Sequence, residues 1–139
     1  MTGLPNLDDI RETFSFLDDW EDRYRYVIEL GQQLPALADD QKTNESLVRG
    51  CQSQVWMVTE LAEDNAFRVR IDSDAFIVRG LAAILVAAVD GRAPAAVAEF
   101  DALALFEELN LLNHLSPSRG NGLRAMIDRL ADQAKRVNA

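Results

Sequence analysis

From Ala75 to Val89 the chain runs through fifteen residues of which thirteen are apolar, interrupted only by Arg79 and Gly80. A helix this apolar has no face that prefers water, so the rest of the chain must wrap it. The segment is too short, and too interrupted by its arginine, to supply the ~20 apolar residues that cross a bilayer. It therefore predicts a central core helix, with Asp72-Ser73-Asp74 supplying N-cap candidates before it. A chain of 139 residues with 48% apolar content suits one core that buries about two thirds of the unfolded surface. One domain over residues 1–139 is expected.

The cover for that helix is legible on either side. Asp9-Ile10-Arg11-Glu12 matches a capping signal, and Ile10, Phe14 and Leu17 recur on one face of a first helix. Asp18-Asp19-Trp20-Glu21 repeats the signal for a second helix with Trp20, Tyr24, Val27 and Ile28 inward, which Gly31 is expected to terminate and Pro35 to keep from resuming. Trp20, Tyr24 and Tyr26 stand at core spacing and are assigned no site. Leu47-Val48 reads as a short strand stopped by Gly50. Val55-Trp56-Met57-Val58-Thr59 and the alternating Phe67, Val69 and Ile71 read as a hairpin turned at Glu63-Asp64-Asn65, with one wet face. Asp90-Gly91-Arg92-Ala93-Pro94 is a turn, Ala95 to Glu99 a short helix, and Asp101 caps another through Phe106 and Leu109. Leu123, Met126, Ile127, Leu130 and Ala134 give the last helix one inward face. Strands paired locally and helices on both sides of them in sequence predict an α+β layer arrangement.

Charge narrows the function classes. Fourteen basic residues against 23 acidic leave a net charge of −9, which repels phosphate backbones and anionic lipid, so neither nucleic acid nor a membrane surface is expected as partner. A protein partner is expected to offer basic surface. Met1 to Asp9 lacks a basic region followed by an apolar stretch, so no secretory signal is read and the cytoplasm is the expected location. One Cys and one His, Cys51 and His114, fall short of a structural zinc set, so no metal is expected. No phosphate-binding glycine loop and no Gly-x-Ser-x-Gly elbow occurs.

The clear reactive centre is the thiol of Cys51. Gly50 before it tolerates a sharp turn, and Gln52, Ser53 and Gln54 after it are too polar to line a dry core, which places Cys51 at a loop tip before a strand. A small buried hydrophobe is the alternative reading of a lone cysteine. As a working residue it is a nucleophile, a carrier of sulfur or acyl groups, or a site of pairing with another chain. No second cysteine exists to close an internal disulfide.

Four segments in order resemble the SufE family of cysteine desulfuration proteins: Trp20-Glu21-Asp22-Arg23-Tyr24 with Glu29-Leu30-Gly31 and Leu34-Pro35; Gly50-Cys51-Gln52-Ser53-Gln54-Val55-Trp56; Asp72-Ser73-Asp74-Ala75 with Ile77-Val78-Arg79-Gly80-Leu81; and His114-Leu115-Ser116-Pro117-Ser118-Arg119 with Gly122-Leu123. Ile71 departs from the pattern, standing where the family commonly has a small residue. The resemblance implies a SufE/NifU-like α+β fold with a small antiparallel sheet of about three strands packed against several helices. It implies that Cys51 takes a sulfane sulfur as a persulfide from a cysteine desulfurase of the SufS/CsdA type and passes it to an iron-sulfur scaffold complex. The chain then needs no cofactor of its own, the pyridoxal phosphate belonging to the desulfurase. Asp74 and Arg119 match motif positions near the Cys51 loop and are carried over as support: Arg119 to favour the thiolate, Asp74 to hold the loop or the arginine. Both also have plain structural readings, as a helix cap and as a ligand of helix carbonyls. The oligomeric state, monomer or homodimer, stays open.

Two other readings compete. In one, His114 deprotonates Cys51 in a cysteine-dependent hydrolase or transferase. In the other, the chain is a non-catalytic adaptor that acts by docking alone.

Overall fold

The computed structural model describes residues 4–49 and 53–138. Among these described residues six α-helices and one β-hairpin follow in order: α1 (Leu7–Phe16), α2 (Trp20–Gln33), β1 (Val55–Leu61), β2 (Phe67–Ser73), α3 (Phe76–Val89), α4 (Pro94–Glu99), α5 (Ala102–Glu108) and α6 (Pro117–Asn138). The segment that is nearly all apolar forms α3 at the centre, with eleven buried residues that include Leu81, Ile84 and Leu85. Helices α2 and α6 and strand β2 pack around it. No helix among the described residues is long and apolar enough to cross a membrane.

The hairpin is antiparallel, with Met57 opposite Ile71 and Val58 opposite Arg70. Val55, Met57, Phe67, Val69 and Ile71 are buried on one face, and Arg68 and Arg70 are exposed on the other, as period-two alternation requires. Ile71, the departure from the family pattern, is fully enclosed in the core. Asn65 turns the hairpin in the left-handed region, at φ 67°, a conformation that asparagine tolerates. The third strand expected at Leu47-Val48 is reduced to one bridge, Leu47 to Trp56. Its pairing is bounded because the Ser46 hydroxyl donates to the Gln41 carbonyl at 2.7 Å, tying the incoming chain into its own loop. Only Ser46 to Val48 remain to bond β1, through Met57 N to Ser46 O at 2.8 Å and Val48 N to Val55 O at 2.7 Å.

Three helix boundaries differ from the sequence reading. Helix α1 is capped by Asn6, whose Oδ1 accepts from Asp9 N at 2.8 Å; Asp9 lies inside the first turn, where its carboxylate complements the helix dipole. Helix α2 is capped by Asp19, whose Oδ1 accepts from Glu21 N at 3.0 Å, one residue after the Asp18 that heads the capping signal, and it runs past Gly31 to Gln33. Gly31 is instead a contact point, since a Cβ there would stand 2.7 Å from Gly80 N. A Cβ on Gly80 would stand 2.1 Å from Val27 O. The two glycines let α2 and α3 approach backbone to backbone.

The arginine that interrupts the core helix closes the same junction. Arg79 donates from Nε to Gly31 O at 3.2 Å and from a terminal nitrogen to Leu34 O at 2.6 Å, satisfying carbonyls at the end of α2. Its other terminal nitrogen pairs with Asp72 Oδ1. Asp72, with a side chain only 3% exposed, also accepts from Leu37 N and Ser73 N and faces Lys42 Nζ at 3.6 Å. A buried carboxylate needs such partners, and here they join α2, β2 and α3 at one end of the molecule.

Candidate functional site

That end carries the site. Residues 49–54 connect the Leu47 bridge to β1, and both ends of the connection are fixed. Val48 N donates to Val55 O at 2.7 Å across its base. Asp74 holds the outgoing side, its Oδ1 accepting from Gln54 N at 3.0 Å while its own N–H donates to Gln54 O at 3.3 Å. Gly50, Cys51 and Gln52 themselves lie outside the described residues. The Asp72-Ser73-Asp74 run, expected as helix caps, thus divides three ways: Asp72 binds Arg79, the Ser73 hydroxyl accepts from Ala75 N, and Asp74 clamps the cysteine connection.

Beside this connection is a cavity of about 410 Å³. Ser53 and Val55 line it from the start of the hairpin, Val78 from the first turn of α3, and Ser116, Ser118, Arg119 and Gly122 from the start of α6. The start of α6 follows from its sequence. Ser116 precedes Pro117, and its carbonyl accepts from Gly120 N at 2.9 Å while its hydroxyl meets Arg119 N at 3.4 Å. A capping serine followed by proline at the first helical position sets the helix entry and aims Arg119 along the cavity rim. Among the described residues Arg119 forms no ion pair, and none joins it to Asp74. The two supporting residues border the cysteine connection separately. Chemically the cavity has two halves: apolar walls from Val55 and Val78, and hydroxyl and guanidinium groups opposite.

His114 is placed by other contacts. Its ring stacks on Trp20, centroids 4.1 Å apart and planes at 18°. Its Nδ1 lies 3.0 Å from the Asn110 carbonyl, which can only accept, so Nδ1 carries the proton of that bond. Asn110 sits at φ 58°, ending α5 in the left-handed region. Trp20 also meets Tyr24 at 6.2 Å, and Tyr26 packs edge-on to Phe14 at 5.6 Å. Trp20, Tyr24 and Tyr26 are half-buried around the core rather than at its centre. The sequence reading had no signal for the Trp20–His114 stack, because the partners are far apart in the chain. Nor did it find Val78 and Ser118 as cavity walls, though both lie inside the quoted motifs. Among the described residues no three His, Cys, Asp or Glu side chains gather as a metal site would need.

The SufE family, described as an Fe-S metabolism associated domain, matches residues 8–134. The chain is 48% identical over 135 residues to an uncharacterized SufE-like protein of Rhizobium etli, covering 95% of this chain and 91% of that one. It is 47% identical over 135 residues to a second such protein from Rhizobium meliloti, covering 95% and 96%. The solution structure of a hypothetical protein from Thermus thermophilus superposes with a TM-score of 0.76 at 24% identity, covering 96% of each chain, and so shares the fold. The chain belongs to the SufE family, whose domain is associated with iron-sulfur metabolism.

Proposed function

We propose that this chain is the sulfur acceptor and activator of a pyridoxal-phosphate cysteine desulfurase of the SufS/CsdA type, working in the cytoplasm and handing its sulfur to an iron-sulfur scaffold complex. The Cys51 thiolate attacks the terminal sulfur of a persulfide on the desulfurase's cysteine. A bond forms between Cys51 Sγ and that sulfur, the sulfur-sulfur bond of the donor breaks, and the desulfurase's cysteine leaves as a thiolate. Sulfur moves with no net redox change, so the step calls for no metal, oxidant or cofactor from this chain. A later thiolate on the scaffold side removes the sulfur by the same exchange.

One observation carries the reading. The sole cysteine of a SufE-family chain falls in sequence within a connection whose ends are clamped by Val48–Val55 and Asp74–Gln54, and Ser53 of that connection lines a cavity together with Arg119. Arg119 is suited to favour an anionic sulfur, and Val55 and Val78 to shelter a polarisable one from reductants. His114, engaged with Trp20 and Asn110, has a structural occupation that needs no base chemistry. The test is desulfurase turnover with wild-type chain and with Cys51→Ser. A carrier stimulates turnover only with the thiol present, whereas equal stimulation by Cys51→Ser would establish an adaptor instead.

A further inference from the structure

The limb that leads into the cysteine connection is held from two sides. Ser46 and Val48 bond β1, through Ser46 O to Met57 N and Val48 N to Val55 O. Leu47 between them turns its carbonyl the other way, as alternation in a bridged segment requires. That carbonyl accepts from Arg129 Nη1 of α6 at 3.3 Å, and Arg129 Nη2 donates to Glu45 O. The planar fork of an arginine holds two acceptors at once, which the single ammonium of a lysine does not match.

The helix that supplies this fork also supplies a cavity wall. Gly122, Met126, Arg129 and Gln133 follow at i, i+4, i+7 and i+11, one stripe of α6. Gly122 lines the cavity, Met126 is fully buried, and Gln133 Oε1 accepts from Thr59 Oγ1 at 3.2 Å. A single helix thus carries the wall at one end and a hold on the incoming limb further along. The fork is not placed there for stability alone. Arg129 Nε is buried with no partner among the described residues, a cost that offsets part of what the two bonds contribute.

We propose that Arg129 is a positioning residue for sulfur transfer: by holding the Glu45 and Leu47 carbonyls it sets the limb entering the cysteine connection against the cavity wall that α6 carries. This rests on the sulfur-acceptor reading and adds to it a residue outside all four family-like segments. The connection then has three fixed points, with Arg129 on the incoming limb, Val48–Val55 across the base and Asp74–Gln54 on the outgoing side. Misplacement of a reacting group by about 1 Å costs up to about a hundredfold in rate, so the limb's position bears on transfer although Arg129 lies outside the cavity lining.

The experiment mixes the full chain with the desulfurase of the same organism and cysteine, and times the gain of one sulfur atom by intact mass at several chain concentrations. Arg129→Met keeps an apolar stem and loses the donors. It is expected to lower the maximal transfer rate about tenfold, with the half-saturating concentration within about twofold of wild type. In the same variant, deuterium exchange at the Val48 amide is expected to be about tenfold faster. Arg129→Lys, able to hold one carbonyl, is expected to fall between Arg129→Met and wild type. Gln133→Ala loosens the same helix at Thr59 instead and is expected to transfer sulfur at the wild-type rate. Either a wild-type maximal rate or unchanged Val48 exchange in Arg129→Met overturns the assignment, as does an equal loss of rate in Gln133→Ala. Wild-type chain that never gains a sulfur atom overturns the carrier reading, while the Val48 exchange still decides whether Arg129 holds the limb.

Discussion

Replacing Gly80 by alanine tests the junction that positions the site. At a solvent-facing helical position the change should stabilise by about 1 kcal/mol, the ordinary helix preference of Ala over Gly. Here the new Cβ would meet Val27 O at 2.1 Å and Val27 Cγ1 at 2.5 Å, against the 3.4 Å at which ordinary contact begins. Backbone cannot rotate away, so α2 and α3 must part by about 1 Å. Overpacking of this kind costs about 1–3 kcal/mol. Parting the helices also strains the Arg79 bonds to Gly31 O and Leu34 O, each a charge-assisted bond worth about 1.5–3 kcal/mol when lost. Set against the propensity gain, the net destabilisation is about 2–4 kcal/mol, a large share of the ~5–15 kcal/mol that holds a domain together. For a chain of this length that is a fall in Tm of roughly 6–15 °C by calorimetry. Gly120→Ala is the control, because its Cβ would meet only Arg124 Nη1 at 3.6 Å. A Gly80→Ala protein as stable as wild type, or more stable, would refute the backbone-to-backbone packing of α2 on α3.

Three other perturbations separate structure from chemistry. Asp72→Ala leaves the part-buried Arg79 without its carboxylate, though still bonded to Gly31 O and Leu34 O, and is expected to cost about 2–4 kcal/mol in urea unfolding; a loss under about 1 kcal/mol would mean the network is dispensable. Asp74→Ala removes the acceptor from Gln54 N, so the Gln54 amide should exchange with deuterium about tenfold faster while global stability changes by less than about 1 kcal/mol; unchanged exchange would show that the clamp holds nothing. His114→Ala frees the Trp20 face and should alter tryptophan fluorescence while leaving sulfur acceptance largely intact, whereas near-complete loss of acceptance would restore His114 as a base for Cys51.

What the sequence disclosed and what it hid divide along physical lines. The core helix was legible because a run with no polar face has only one fate, and the hairpin because Phe67, Val69 and Ile71 alternate with Arg68, Arg70 and Asp72. Local chemistry marked the turns at Asn65 and Gly91, both at positive φ. Long-range contact was not legible. Gly31 looked like a helix stop because its use, an approach to Gly80, depends on a partner far along the chain. Arg79 looked like a blemish in an apolar run until its bonds to α2 and Asp72 were seen. Asp74 was recognised in the right neighbourhood, but as a cap it resembled any Asp before a helix; its bond to Gln54 required the fold. The Leu47-Val48 strand was read from composition, and shrank to a bridge because Ser46 is held by its own loop.

The most direct test of sulfur carriage is intact-mass spectrometry of the chain after incubation with a cysteine desulfurase, pyridoxal phosphate and cysteine. Carriage predicts one added sulfur atom, localised to Cys51 by fragmentation, removed by a thiol reductant and absent in Cys51→Ser. A chain that emerges with unchanged mass while the desulfurase turns over would contradict it.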